Sequence, residues 1–200
     1  KLQNISENVG TAIIEICREI EDTNSKSLGG TMIHAEFNKK EKYPDTALLK
    51  LIDKFSTSED GNFRLRNSDL ENEDVFGDAY ELLLEMFADE TKKKGGQFYT
   101  PREVVRLLVE LTKPQFNHRI NDPTCGSGGM LIHSRQFVEK TLTDEGKTKD
   151  EIQESLKRLT LHGQDSNPDT VNMCKMNMVI HGVPSFDIRW GDVLESPKFV

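Results

Sequence analysis

The sequence predicts a two-part chain: a helical N-terminal region, then the first part of a doubly wound α/β sheet. Three observations carry this. Apolar residues recur at helical spacing through residues 1–90. Beyond them, "HRIND" (118–122), "TLHGQD" (160–165) and "SFDIRWGDV" (185–193) read as short strands separated by helical segments. Between the first strand and the next helix stands "NDPTCGSGGM" (121–130), at the place where such a sheet meets ligands.

The first half is justified by stripes. Residues 5–22 place Val9, Ile13, Ile16 and Ile20 on one helical face. Residues 44–56 repeat the pattern with Leu48, Leu49, Ile52 and Phe55, and residues 74–90 with Val75, Ala79, Leu82, Leu83, Met86 and Phe87. These stripes predict core, with loops at 23–31 and 57–62. "TKKKGG" (91–96) is a cationic link and marks the boundary between a helical domain, 1–90, and a second domain, 91–200.

The second half begins with "QFYTPREVVRLLVELT". Thr100 can cap a helix, Pro101 suits its first position, and Val104, Leu107, Leu108 and Leu111 form its buried stripe. A helix follows from Gly129 to Lys140, residues 141–151 read as loop, and "ESLKRL" as a helical turn. "NPDTVNMCKMNMVIHG" (167–182) is well signalled: Asn167 caps, Pro168 leads, Asp169 suits the dipole and Gly182 stops the helix. The remaining strands are expected beyond residue 200.

Composition narrows the classes. The chain has 200 residues, 35% hydrophobic and 30% charged, with net charge −8. Residues 1–90 hold 10 Lys+Arg against 20 Asp+Glu, and residues 91–200 hold 16 against 14. An acidic first half is a poor solitary partner for nucleic acid, whose phosphates need Lys and Arg. No apolar run approaches the roughly 20 residues of a membrane helix. "KLQNISENVG" lacks a signal-peptide layout and an initiator Met, as in a cut or processed chain. Cys17, Cys125 and Cys174 lie far apart with no metal-ligand spacing, so reduced, cytoplasmic cysteines are expected and a zinc site is not.

The chemistry is concentrated at the strand ends. Gly126, Gly128 and Gly129 let backbone approach a ligand, and the next helix points free N–H groups there. Asp122, Asp165 and Asp192 each follow a strand. Asp165 is placed for two ribose hydroxyls and Asp192 for the amine of a base. Asp122 favours a cationic group over a diphosphate. A dinucleotide fingerprint needs G-x-G-x-x-G and an acid about 20 positions later. Here the glycines run G-S-G-G, and Asp165 follows Asp122 by 43 positions. S-adenosylmethionine has ribose, adenine, an ammonium, a sulfonium and no phosphate, and it fits three carboxylates better. "EGKT" (145–148) lacks the first glycine of a P-loop. "CGSGG" lacks the partners of a cysteine nucleophile, and Cys125 reads as a small loop filler.

"GGQFYTPREVV", "DPTCGSGGML", "GQDSNPDTVNMCKMNMVIHG" and "GDVL", in this order, resemble the DNA-methylation subunit of type I restriction–modification systems. The resemblance covers about residues 74–194. It implies a truncated Rossmann-like sheet of the S-adenosylmethionine-dependent methyltransferase type, acting on adenine N6 in double-stranded DNA. It implies that Gln97, Phe98, Tyr99, Thr100, Pro101 and Arg102 close over the methionine end. Asp122, Pro123, Thr124, Gly126, Ser127, Gly128 and Gly129 would lie beneath it, with Asp165 on the ribose and Asp192 and Val193 flanking the adenine.

The family commonly has Glu where Asp165 stands, so its reach is one methylene shorter here. The family's catalytic Asn-Pro-Pro-aromatic motif, which receives a flipped adenine, does not occur in the sequence. An inactive N-terminal fragment of a larger methyltransferase is therefore expected. A specificity subunit and a restriction nuclease subunit are the implied partners. The alternatives are a protein or small-molecule methyltransferase, and a non-catalytic module whose residues 1–90 bind a partner.

Overall fold

A computed structural model describes residues 5–32, 36–56, 75–90 and 99–199. The expected loop at 57–62, the lysine–glycine link, and Gln97 and Phe98 lie outside the described residues. The chain divides into two compact units, Lys1–Val75 and Phe76–Val200.

The first unit holds α1 (Val9–Thr23), α2 (Ser25–Leu28) and α3 (Asp45–Ser56). The free N–H groups at the start of α1 are met from a distance. Asp45, at the start of α3, accepts from Asn8 N (3.1 Å) and Val9 N (3.0 Å). Glu21 is buried because its Oε1 accepts from the backbone N–H groups of Thr31 and Met32. The stripe of α1 is only partly core: Val9 is buried, Ile13 and Ile16 are half-buried, and Ile20 is exposed. The short α2 falls where a loop was expected.

The second unit is built on three parallel strands, β1 (Arg119–Asp122), β2 (Thr160–Asp165) and β3 (Asp187–Trp190), in the order β1-β2-β3. A sequential parallel order with right-handed crossovers places the connecting helices on one face. These are α6 (Gly129–Asp144) and α7 (Lys149–Leu156) between β1 and β2, and α8 (Pro168–Ile180) between β2 and β3. Leu131, Ile132, Val138, Leu161, Val171, Cys174, Met178 and Ile188 close the core between sheet and helices.

Local signals set these helices. Asn167 accepts from Asp169 N (2.9 Å) with Pro168 at the first position of α8. Thr148 and Glu151 form a capping box on α7. That box, and the run of α6 to Asp144, replace most of the loop expected at 141–151. Gln164 is almost fully buried. Its Nε2 donates to Gly191 O (2.9 Å) and Ser196 O (3.0 Å), and its Oε1 accepts from Lys198 N (2.9 Å). One side chain thus fastens the segment after β3 to β2.

Two helices precede the sheet: α4 (Val75–Glu90) and α5 (Arg102–Thr112). Both turn a different face inward from the one their apolar stripes predict. In α4, Gly77, Glu81 and Leu84 are buried, while Val75, Ala79, Leu82, Leu83, Met86 and Phe87 are exposed. In α5, Val105 and Val109 are buried against α6, while Val104, Leu107, Leu108 and Leu111 are exposed, Leu111 to 70%. The reason in α4 is an ion pair: Arg102 reaches back to Asp78 and Glu81 and fixes the roll of the helix. Thr100 makes no capping bond. Pro101 holds the cap position and Arg102 is the first helical residue, one position later than expected.

Leu131 has no exposed surface. Leu131→Ala is expected to lower stability by about 2–5 kcal/mol, the cost of lost transfer energy plus a cavity. The denaturant midpoint should fall with an unchanged slope.

Candidate cofactor cleft

The loop between β1 and α6 is held from beside and beneath. Cys125 N donates to Gln164 O (2.9 Å) and Gly126 N to Asp165 Oδ2 (3.1 Å). Asp165 Oδ1 accepts from Asn167 N (2.9 Å). Asp165 is therefore buried with both oxygens engaged by backbone, and each oxygen keeps a further lone pair. Gly126 and Gly128 adopt φ of 53° and 85°. At Gly128 a second constraint applies, because a Cβ would lie 2.7 Å from Cys174 Sγ in the core. Asn177, without exposed surface, donates from Nδ2 to Ser127 O (3.0 Å). The loop is fixed before any ligand arrives.

Above it opens a cleft. Tyr99, Thr100, Arg102, Asp122, Thr124, Gly126, Ser127 and Gly129 line it, all of them candidates from sequence. Val105, Cys125 and Met130 add apolar wall, and Glu81 and His133 add polar groups. Pro101, Pro123 and Gly128 adjoin these in the chain without lining the cleft. Asp165 touches the loop from the side through Gly126 N–H. Asp192 and Val193 follow β3. Asp192 is exposed and accepts from Leu194 N (2.8 Å), outside this cavity.

Charge is arranged with opposite signs. Burial pushes the Asp122 carboxyl pKa up, and the nearby Asp165 charge adds to the rise. A hydrogen bond from Thr124 N (3.1 Å) opposes it. No described residue forms an ion pair with Asp122. In the same cleft, burial works against the Arg102 guanidinium, but its bonds to Glu81 and Asp78 outweigh that and raise its pKa above the ordinary value. Burial lowers the His133 pKa, and the charge of Arg102 lowers it further against the pull of Glu81. Burial also raises the Tyr99 hydroxyl. Among the described residues no group of His, Cys, Asp and Glu is arranged to hold a metal ion.

Sequence reasoning missed Glu81. It sits on a helix with apolar residues on most sides, and only its spacing from Gly77 and Leu84, four and three positions away, marked the inward face. Sequence reasoning set His133 aside with the cysteine-nucleophile reading; His133 lies one turn into α6 and meets Glu81 only in the folded chain.

Residues 71–200 match the family described as N-6 DNA Methylase. The chain belongs to that family. Among curated relatives of this chain, the type I restriction enzyme MjaVII methylase subunit of Methanocaldococcus jannaschii is 39% identical over 127 residues. The match covers 62% of this chain and 20% of the relative. The chain thus spans about a fifth of the length of the curated relatives it matches.

Among solved structures, a modification subunit of a putative type I restriction enzyme from Vibrio vulnificus YJ016 is 26% identical. It covers 68% of this chain and 26% of its own, with TM-score 0.52. A type I restriction–modification methyltransferase subunit from Streptococcus thermophilus shares the fold over 96% of this chain and 41% of its own. The TM-score is 0.61 at 21% identity. The helical and parallel-sheet architecture is therefore that of a partial methyltransferase fold.

Asp122 and Gly128 yield opposite expectations. A carboxyl whose pKa is raised on folding makes the native state bind more protons than the unfolded one. Stability is then lost as pH rises from the unfolded pKa through the folded one. Asp122→Asn keeps the Thr124 bond and removes the buried charge. It should raise the thermal midpoint at pH 7, and the gain should vanish below the ordinary carboxylate range. A lower midpoint at pH 7 would contradict this. Gly128→Ala should instead destabilise by more than about 1 kcal/mol, because the left-handed backbone alone costs that much.

Proposed function

We propose that this chain is the donor-binding part of an S-adenosylmethionine-dependent DNA methyltransferase, acting on adenine N6 as the modification subunit of a type I system. The single observation that carries the cofactor reading is Asp122. It is a half-buried carboxylate with a raised pKa, lining a cleft and lacking a cationic partner among the described residues. Such a group is costly unless a cation completes it. An α-amino acid end is a zwitterion, and its ammonium fits Asp122 while its carboxylate fits Arg102, which lines the same cleft. A diphosphate fits neither the carboxylate nor its position beside the loop.

The residues then divide by the parts of the cofactor. Tyr99, Thr100, Arg102 and Asp122 to Gly129 would hold the methionine end, with Gln97, Phe98 and Pro101 completing that segment by family resemblance. Asp165 retains lone pairs for the ribose hydroxyls, and its engagement with Gly126 N–H keeps them beside the loop. Asp192 and Val193 would flank the adenine from the exit of β3. When bound, S-adenosylmethionine supplies an electrophilic methyl group on its sulfonium. The contribution of this chain is to seat that group and exclude water with Val105, Cys125 and Met130.

The acceptor side is expected to lie on other residues, since no Asn-Pro-Pro-aromatic tetrapeptide occurs in the sequence. Double-stranded DNA, a specificity subunit and a restriction subunit are the proposed partners. The cytoplasm, where Cys17, Cys125 and Cys174 stay as the free thiols they are here, is the proposed site of action. No helix among the described residues is long and apolar enough to cross a membrane.

Calorimetric titration tests this reading. S-adenosylhomocysteine and S-adenosylmethionine should bind and NAD should not. Asp122→Ala should weaken S-adenosylmethionine at least about tenfold, the worth of one charge-assisted hydrogen bond. Binding of NAD in preference to both adenosyl ligands would sink the proposal.

A further inference from the structure

The inward face of α4 brings one carboxylate to a place where four helices meet. Glu81 is 8% exposed. Its Oε2 accepts from Arg102 Nε (3.0 Å) and Nη2 (2.6 Å) at the start of α5. His133 Nε2 of α6 stands 3.8 Å from the same oxygen. His181 Nε2, just past the end of α8, stands 3.6 Å from Oε1. Asp78, one turn back on α4, accepts from Arg102 Nη2 as well. Among the described residues these bonds engage Nε and Nη2 of Arg102 and leave Nη1.

Packing alone does not call for this arrangement. Burying a carboxylate and a guanidinium is costly, and apolar residues of similar volume hold helices together as well or better. What only the ion pair supplies is orientation. A guanidinium is a planar fork, and two bonds to one edge fix its roll. Arg102 directly follows Tyr99, Thr100 and Pro101 and lines the same cleft as Asp122.

We infer that Glu81 is a positioning residue for the methionine end of S-adenosylmethionine. It fixes the Arg102 guanidinium so that Nη1 remains for the amino-acid carboxylate while Asp122 takes the ammonium. This inference rests on the cofactor reading above. It adds a role for α4, which lies before the motifs that carry the family resemblance most strongly. In this role Glu81 acts through Arg102.

The test compares two ligands on the full chain: S-adenosylhomocysteine, and 5′-methylthioadenosine, which keeps the nucleoside and thioether but lacks the amino-acid end. Wild type should prefer the first. Glu81→Gln should lose about tenfold of that preference, one charge-assisted hydrogen bond's worth, with 5′-methylthioadenosine affinity unchanged. Retained preference, or equal weakening of both ligands, overturns the inference.

Arg102→Lys should lose the same preference, and the double variant should lose no more. Additive losses would mean that Glu81 acts apart from Arg102 and would overturn it too. Glu81→Asp keeps the buried charge and withdraws it by one methylene. It is the second variant should Glu81→Gln not fold, and an unchanged preference in it also overturns the inference. A wild type indifferent to the amino-acid end overturns the cofactor reading together with this one.

Discussion

Two bonds stitch the glycine loop to the strand beside it: Cys125 N–H to the Gln164 carbonyl, and Gly126 N–H to the Asp165 carboxylate. The rest of the site depends on them. Without them, a loop with two glycines at positive φ has many conformations and no reason to keep one. The same two residues of β2 also govern the exit of β3. The Gln164 side chain holds Gly191, Ser196 and Lys198, and the Asp165 carbonyl accepts from Gly191 N–H. A dipeptide at the end of the middle strand therefore sets the loop after β1 and the segment after β3. That is why a short three-stranded sheet can present a formed cleft.

The cleft is electrostatically expensive by design of its walls. Asp122 is held where burial disfavours its charge, and Arg102 is held where burial disfavours its own. Their solutions differ. Arg102 is compensated within the protein by Glu81 and Asp78, so its charge is secure and its orientation fixed. Asp122 receives one backbone hydrogen bond and, among the described residues, no cation. A group left incomplete in this way lowers stability and raises affinity for whatever completes it, the trade expected at a binding site. The proposed seat for an amino-acid end rests on this imbalance.

Much of the site was legible because its signals are local. Asn167, Pro168 and Asp169 cap α8 from within one turn, and the glycines mark a bend at their own positions. The α/β character of the sheet followed from the alternation of strands with helices. The inward faces of α4 and α5 were not legible. Both helices carry apolar residues on several sides, so periodicity does not choose among them. The choice falls to Arg102 reaching back 21 and 24 positions to Glu81 and Asp78, and to Val105 and Val109 packing on α6. Likewise the spacing that marks Asp165 as a strand-end acid does not disclose that its oxygens already hold Gly126 and Asn167.

By itself, the sequence determined most of the elements and the bend of the loop, and it motivated the proposed ligand, through residue chemistry acting over one turn or one strand. It also carried the order of motifs that places the chain in its family. Only the tertiary structure decided which way the helices roll, which charges are paired and which one is left open. Those outcomes depend on contacts between residues tens of positions apart, and no local pattern encodes the distance between them.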